Sequence, residues 1–242
     1  MSAKEHYEHH LGNLYSWMAG EFRQKQAEQQ AFFSAHNIFP SLSKKAIDLG
    51  CGHGLQSVSL AQLGFSVTSV DFNRQLLAEL EANNKGSNIR IVEDELIHYL
   101  QKINDHVELI VCMGDTLTHL ESVSHIRGLF SLVSSRLERE GKFVVSFRDL
   151  TRELAGGQRF IPVKSDDTRI LTCFLEYFPD HVMVHDQLYE KVNSQWKQTV
   201  SAYSKLRLNE STVSTMIEAA GMRIVSSEVV NGMVTIVAKK NT

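Results

Sequence analysis

Residues 46–54 read Ala-Ile-Asp-Leu-Gly-Cys-Gly-His-Gly, an apolar run that passes straight into three glycines at alternate positions. A short buried strand followed by a tight turn is expected there. The next segment places Val58, Leu60, Ala61 and Leu63 at helical spacing and stops at Gly64. A second apolar run, 65–70, then ends in Asp71. Strand, glycine turn, helix, strand and a terminal carboxylate about 20 residues past the first glycine make a nucleotide-binding βαβ unit. Glycine lets the backbone approach a ligand where a Cβ collides, and the acid accepts hydrogen bonds from two ribose hydroxyls.

Later segments extend this unit into a sheet. A helix through Leu76, Leu77 and Leu80 is expected to stop at Asn83-Asn84-Lys85-Gly86, a third strand to cover 89–92, and a fourth to cover 109–113, apolar throughout as in a sheet covered on both faces. Ser122 caps a helix with Ile126, Leu129, Phe130, Val133 and Leu137 on one face and Gly141 as its stop, and strand five covers 143–147. From about 158 to 208 polar and apolar residues alternate between turn signals at 165–167, 179–180 and 193–194, which predicts antiparallel strands. A helix at 211–220, a strand at 223–229, a turn at Asn231-Gly232 and a strand at 233–238 close the chain as a hairpin.

Two spacings carry a resemblance. The glycines follow GxGxG, not the GxGxxG of dinucleotide sites, and Asp48 lies two residues before Gly50; with Asp71 this resembles motif I and its following acid in the class I S-adenosylmethionine-dependent methyltransferases. The segment Gly114-Asp115-Thr116-Leu117-Thr118-His119-Leu120 resembles the Gly-Asn-Ser-x-x-His-Leu stretch of the glycine N-methyltransferase-like branch, with Asp115 where that branch has asparagine.

The resemblance implies an α/β fold: a Rossmann-like, seven-stranded, mostly parallel sheet with an antiparallel last strand, helices on both faces and an antiparallel β insert after strand five. The implied divisions are a helical cofactor cover at 1–42, a core at 43–150 and 209–242, and a substrate lid at 151–208. The cofactor is S-adenosyl-L-methionine, and the cofactor-binding set is Asp48, Gly50, Cys51, Gly52, Asp71, Phe72, Asp94, Glu95, Met113 and His119, with Tyr15 and Lys25 from the cover. Ordinary core packing and solvated charge are the alternatives for Tyr15 and Lys25, and helix capping is the alternative for the acids at 94–95. Asp115, His119 and Arg148 are the implied catalytic residues. Asp115 or His119 takes the proton or aims the lone pair of an amine. Arg148 grips a substrate carboxylate, its alternative being a salt bridge to Asp149, Glu153 or Asp115.

Composition narrows the field. The net charge is −3 with no Lys/Arg cluster, so a small molecule is expected as the partner and nucleic acid is not. No apolar run approaches the roughly 20 residues of a membrane span, and residues 1–13 lack a signal-peptide pattern. Three cysteines, Cys51, Cys112 and Cys173, have no metal-ligand spacing. These features lead to the expectation of a cytoplasmic protein. His6, His9 and His10 share a helical face that could seat a metal, but a frayed polar terminus is the blander reading and no metal is expected. The reading is methyl transfer to a small molecule, on an amine nitrogen. The alternatives are an O-methyltransferase and a cofactor-binding protein without catalysis; a nicotinamide-dependent oxidoreductase is disfavoured by the GxGxG spacing and the hairpin ending.

Overall fold

A computed structural model describes residues 3–241; residues 1, 2 and 242, at the ends of the expected cover and core, lie outside the described residues. Seven of the described strands form one sheet, β1 (Lys45–Leu49), β2 (Ser66–Asp71), β3 (Ile89–Glu93), β4 (Val107–Cys112), β5 (Leu137–Arg148), β10 (Met222–Val230) and β11 (Met233–Lys240), in the order β10-β11-β5-β4-β1-β2-β3. β11 runs antiparallel to both its neighbours, and the pairings among β1 to β5 are parallel. The Asn231-Gly232 turn explains the last reversal, since both residues adopt positive φ.

Alternation along the strands sorts side chains to two faces. Ile47, Leu49, Ile110, Phe143 and Val145 pack with Phe130, Val133 and Ile217 on one side; Ala46, Leu109, Val111 and Val144 pack with Phe33, Ile38 and Leu60 on the other. Truncating one of these enclosed phenylalanines to alanine costs about 3–5 kcal/mol. The helices supplying those side chains include α3 (Phe22–Ala35), α4 (Leu55–Gln62), α7 (Val123–Arg136) and α8 (Glu210–Ala219). Inside β4 the charged Glu108 is tolerated because it accepts from the backbone N–H groups of Ser41, Leu42 and Lys44 and from the Ser41 hydroxyl. Burial raises its pKa, but these donors outweigh burial and hold the carboxyl below its usual range.

Two boundaries differ from expectation. Gly141 does not end α7: the chain leaves the helix at Leu137 in extended conformation and continues as β5, with Glu140 at φ 65° and Gly141 where a Cβ would meet the Glu138 carbonyl oxygen at 2.9 Å. Pairing with β4 and β11 takes up the backbone donors that a longer helix would have used. The amino-terminal segment is likewise not one helix. It divides into α1 (Ala3–His6), a π-helical turn at Tyr7–Leu11, a 3-10 turn, α2 (Tyr15–Ala19) and α3. Gly20, at φ 95°, breaks it, and Glu21 restarts it by accepting from the Gln24 N–H at 3.0 Å.

Between β5 and α8 a second, four-stranded antiparallel sheet is formed by β6 (Phe160–Ser165), β7 (Arg169–Tyr177), β8 (His181–Val192) and β9 (Gln195–Leu206). Leu175, Val182, Val184 and Tyr203 on one face pack with Leu150. No helix of the described residues is long and apolar enough to cross a membrane.

Candidate active site

Parallel pairing brings the carboxyl ends of β1, β2 and β4 side by side, the edge at which open α/β sheets bind ligands. The glycine turn lies there, with the Gly50 and Cys51 N–H groups donating to the Val70 carbonyl at 2.8 and 3.1 Å. Glycine is demanded by the neighbours: a Cβ at Gly50 would stand 2.5 Å from the Thr116 side chain, and one at Gly54, whose φ is 91°, 2.1 Å from Leu80. Asp71 receives the Gly52 N–H on one oxygen at 2.9 Å and the Asn73 N–H on the other at 2.8 Å. Burial nevertheless pushes its pKa up, more than these donors lower it. Each oxygen keeps lone-pair capacity toward the cavity, which fits a vicinal diol.

A cavity of about 620 Å³ opens above this turn. Its lining includes Gly50, Cys51, Gly52, Asp71, Phe72 and Met113 from the sheet edge. Asp94 and Glu95 border it at one end, while Tyr15, Lys25 and His119 border it elsewhere. Glu95 also caps α6 (Leu96–Lys102), accepting from the Ile97 and His98 N–H groups, and Asp94 binds His98 and Lys102, so both acids have structural partners as well as a place on the cavity. Lys25 is paired with Glu28 at 2.9 Å. The Cys51 thiol is pushed well up by burial and is no nucleophile as it stands.

Three expected site residues need correction. Asp48 lies beneath the turn and does not line the cavity: it accepts from the Ser57 hydroxyl at 2.6 Å, which in turn accepts from Ser69 at 2.6 Å. Burial, only partly offset by Ser57, lifts its pKa to about 7. Asp115 does not line the cavity either. Its two oxygens take the Lys205 ammonium at 2.5 Å, the Thr118 hydroxyl at 3.0 Å and the Arg148 backbone N–H at 2.8 Å, leaving a committed ion pair instead of a free acceptor. Burial works against this charge, but Lys205 and His119 outweigh it and hold the Asp115 carboxyl below its ordinary range. Arg148 is exposed, and its guanidinium turns to the Asn231 carbonyl at 3.3 Å. None of the three expected salt bridges is formed; the last residue of β5 faces out because its neighbour Phe147 faces the core.

Lys205, which the sequence reading missed, is the cation that neutralises Asp115; like Asp115 it does not line the cavity. Its signal was phase: on β9, Ser201, Tyr203 and Lys205 share a strand face, and Tyr203 is buried. Tyr7 was missed as well. It lines the cavity and packs with Tyr15, Phe72 and His119 at centroid distances of 6.2, 6.2 and 5.6 Å. Burial pushes the Tyr15 phenol up to about 12 and the Tyr7 phenol well up, so both stay neutral. His119 is driven down to about 3 by burial and then by the charge of Lys205, and its Nδ1 is buried without a partner. Neutral aromatic faces around a cavity favour a cationic guest. No cluster of metal-ligating side chains is formed among the described residues.

Residues 46–141 match a family model described as a methyltransferase domain. They are a class I S-adenosylmethionine-dependent methyltransferase domain. A glycine/sarcosine N-methyltransferase of Aphanothece halophytica is 27% identical over 109 residues, 44% of this chain and 41% of that protein. A ubiquinone biosynthesis O-methyltransferase of Yersinia pestis is 31% identical over 93 residues, 37% of this chain and 38% of its own. The matches therefore span less than half the length of these relatives. Among solved structures, the CcbJ methyltransferase of Streptomyces caelestis superposes with a TM-score of 0.79 at 18% identity, covering 98% of both chains. The methyltransferase fold thus extends over the amino-terminal helices and the insert as well as the matched domain.

Proposed function

We propose that this chain transfers a methyl group from S-adenosylmethionine to an amine nitrogen of a small molecule. The observation that carries the reading is Asp71, held by two backbone N–H groups at the base of a cavity large enough for a nucleoside, with acceptor capacity left over. Asp71 would hold the ribose, Asp94 the adenine amine, and Lys25 a carboxylate. The bound cofactor supplies an electrophilic methyl on a sulfonium, and the protein's part is to place the acceptor in line and keep water out. Tyr7, Tyr15 and His119 form a neutral aromatic wall suited to that charge. With a pKa of about 3, His119 stays neutral and adds its ring to this wall without taking the proton of the acceptor.

This last point favours nitrogen over oxygen. A hydroxyl acceptor needs a base, and the two groups nearest that role are a His119 too weak to serve and an Asp115 tied to Lys205. A neutral amine needs none. The insert sheet acts as the substrate lid and residues up to 42 as the cofactor cover. Calorimetry with S-adenosylhomocysteine, followed by transfer of label from methyl-tritiated cofactor to a panel of amines and alcohols, tests the reading. Binding and labelled amines are expected. Label in alcohols alone overturns the acceptor assignment, and binding without any transfer favours a protein that only holds the cofactor.

A further inference from the structure

The first helical segment is a partition. Lys4 and Tyr7 face the cofactor cavity, while His6, His9, His10 and Asn13 face the opposite way, toward the insert sheet. On that side lies a second cavity of about 370 Å³. Its other wall is one face of the sheet, where Asp186 stands opposite Ser201 and Leu188 opposite Thr199 across the β8–β9 ladder, with Glu190 two residues along.

Its chemistry differs from that of the cofactor cavity. Two carboxylates, Asp186 and Glu190, line it, and no lysine or arginine does among the described residues. Asp186 is 8% exposed and accepts on Oδ2 from the Nε2 of His6 at 3.1 Å. His6 is fully buried and stacks on Tyr203 at a centroid distance of 4.1 Å, yet its Nδ1 has no partner. If Nε2 carries the ring proton for Asp186, Nδ1 presents a lone pair, and a buried acceptor left empty costs about 1–3 kcal/mol. The Ser201 and Thr199 hydroxyls and the Asn13 amide add neutral polar groups to this wall.

We propose that this second cavity is a binding site for a hydroxyl-bearing organic ammonium without a carboxylate, the ammonium held by Asp186 and Glu190 and its hydroxyls by Ser201, Thr199 and Asn13. The absence of a lining lysine or arginine selects against an acid group on the ligand, because two carboxylates would repel it. The proposal goes beyond the cofactor reading and does not depend on it.

Calorimetry of the full chain, with and without saturating S-adenosylhomocysteine, tests it with glucosamine, glucose and glycine as probes. Glucosamine is expected to bind, with glucose and glycine at least tenfold weaker. Asp186→Asn should weaken glucosamine at least tenfold. Glu190→Lys, at a half-buried strand position, should do the same by reversing charge at the site and should leave S-adenosylhomocysteine affinity unchanged. Glucose binding as well as glucosamine, no glucosamine binding at all, or glucosamine affinity unchanged in Glu190→Lys overturns the site. Failure of S-adenosylhomocysteine to bind overturns the methyltransferase reading instead, and the titration without it still decides this one.

Discussion

The two walls of the cofactor cavity are held together differently. At the sheet edge, polar groups find partners close in sequence: Asp71 takes N–H groups from Gly52 and Asn73, and Asp48 takes the Ser57 hydroxyl, separations of 19, 2 and 9 residues. The cover and insert are joined by pairs far apart in the chain, His6 with Asp186 across 180 residues and the Trp17 indole with Asp166 across 149, and Lys205 ties the insert to Asp115 of the core across 90. The first wall is complete once one βαβ unit folds. The second exists only when three segments have docked, and long-range closure costs entropy that local bonds do not. Such a wall opens at lower free energy than the sheet, which suits a surface that must admit and release ligands.

The largest expected effect breaks the bridge between the walls. Lys205→Met leaves Asp115 buried without its cation, and removing one partner of a buried pair costs about 3–5 kcal/mol. Urea denaturation should show this loss, and adding Asp115→Asn should recover part of it. Recovery is the sharper result, since it separates charge from packing.

Asp71→Ala attacks the local wall. Loss of charge-assisted hydrogen bonds worth roughly 1.5–3 kcal/mol each should weaken S-adenosylhomocysteine about 10- to 100-fold in calorimetry. Unchanged affinity would show that the sheet edge is not where the ribose is held.

Asp48 gives the local wall a pH signature. Its pKa is raised in the folded state to about 7 from an ordinary 3.8, so its stabilising contribution is full below about pH 4 and is lost as pH rises through 7. His119 works in the opposite sense: depressed to about 3, it costs stability as pH falls below its ordinary 6.5. The difference between Asp48→Asn and wild type isolates the carboxyl. The variant should gain relative to wild type between about pH 4 and about pH 7 in urea midpoints.

Smaller effects are expected at the rim. Asp166 anchors Trp17, whose ring also carries Arg169 at 4.5 Å from its centroid. Asp166→Ala should speed amide exchange in α2 without changing it in β1. Arg148→Lys, at an exposed position whose guanidinium touches only a turn carbonyl, should alter stability by no more than about 0.5 kcal/mol and leave acceptor preference as it was.

What was legible in the sequence is what neighbours along the chain dictate. The glycine spacing and Asp71 set the turn, because positive φ and close approach leave little else that fits. Alternation located the four insert strands within a few residues, and Asn231-Gly232 marked the final hairpin. Tertiary structure decided which charged side chains pair near the site and which turn to solvent. Arg148 and Lys205 both end strands near it, but only the sheet registers turn one outward to Asn231 and the other inward to Asp115. The same applies to Asp48, whose place beneath the turn depends on Ser57 and Ser69 lying under it, and to His6, whose partner lies on the insert. A strand's alternation says that a face is buried, whereas which group it meets there depends on how separate sheets and helices dock, and that information is spread over residues far apart in the chain.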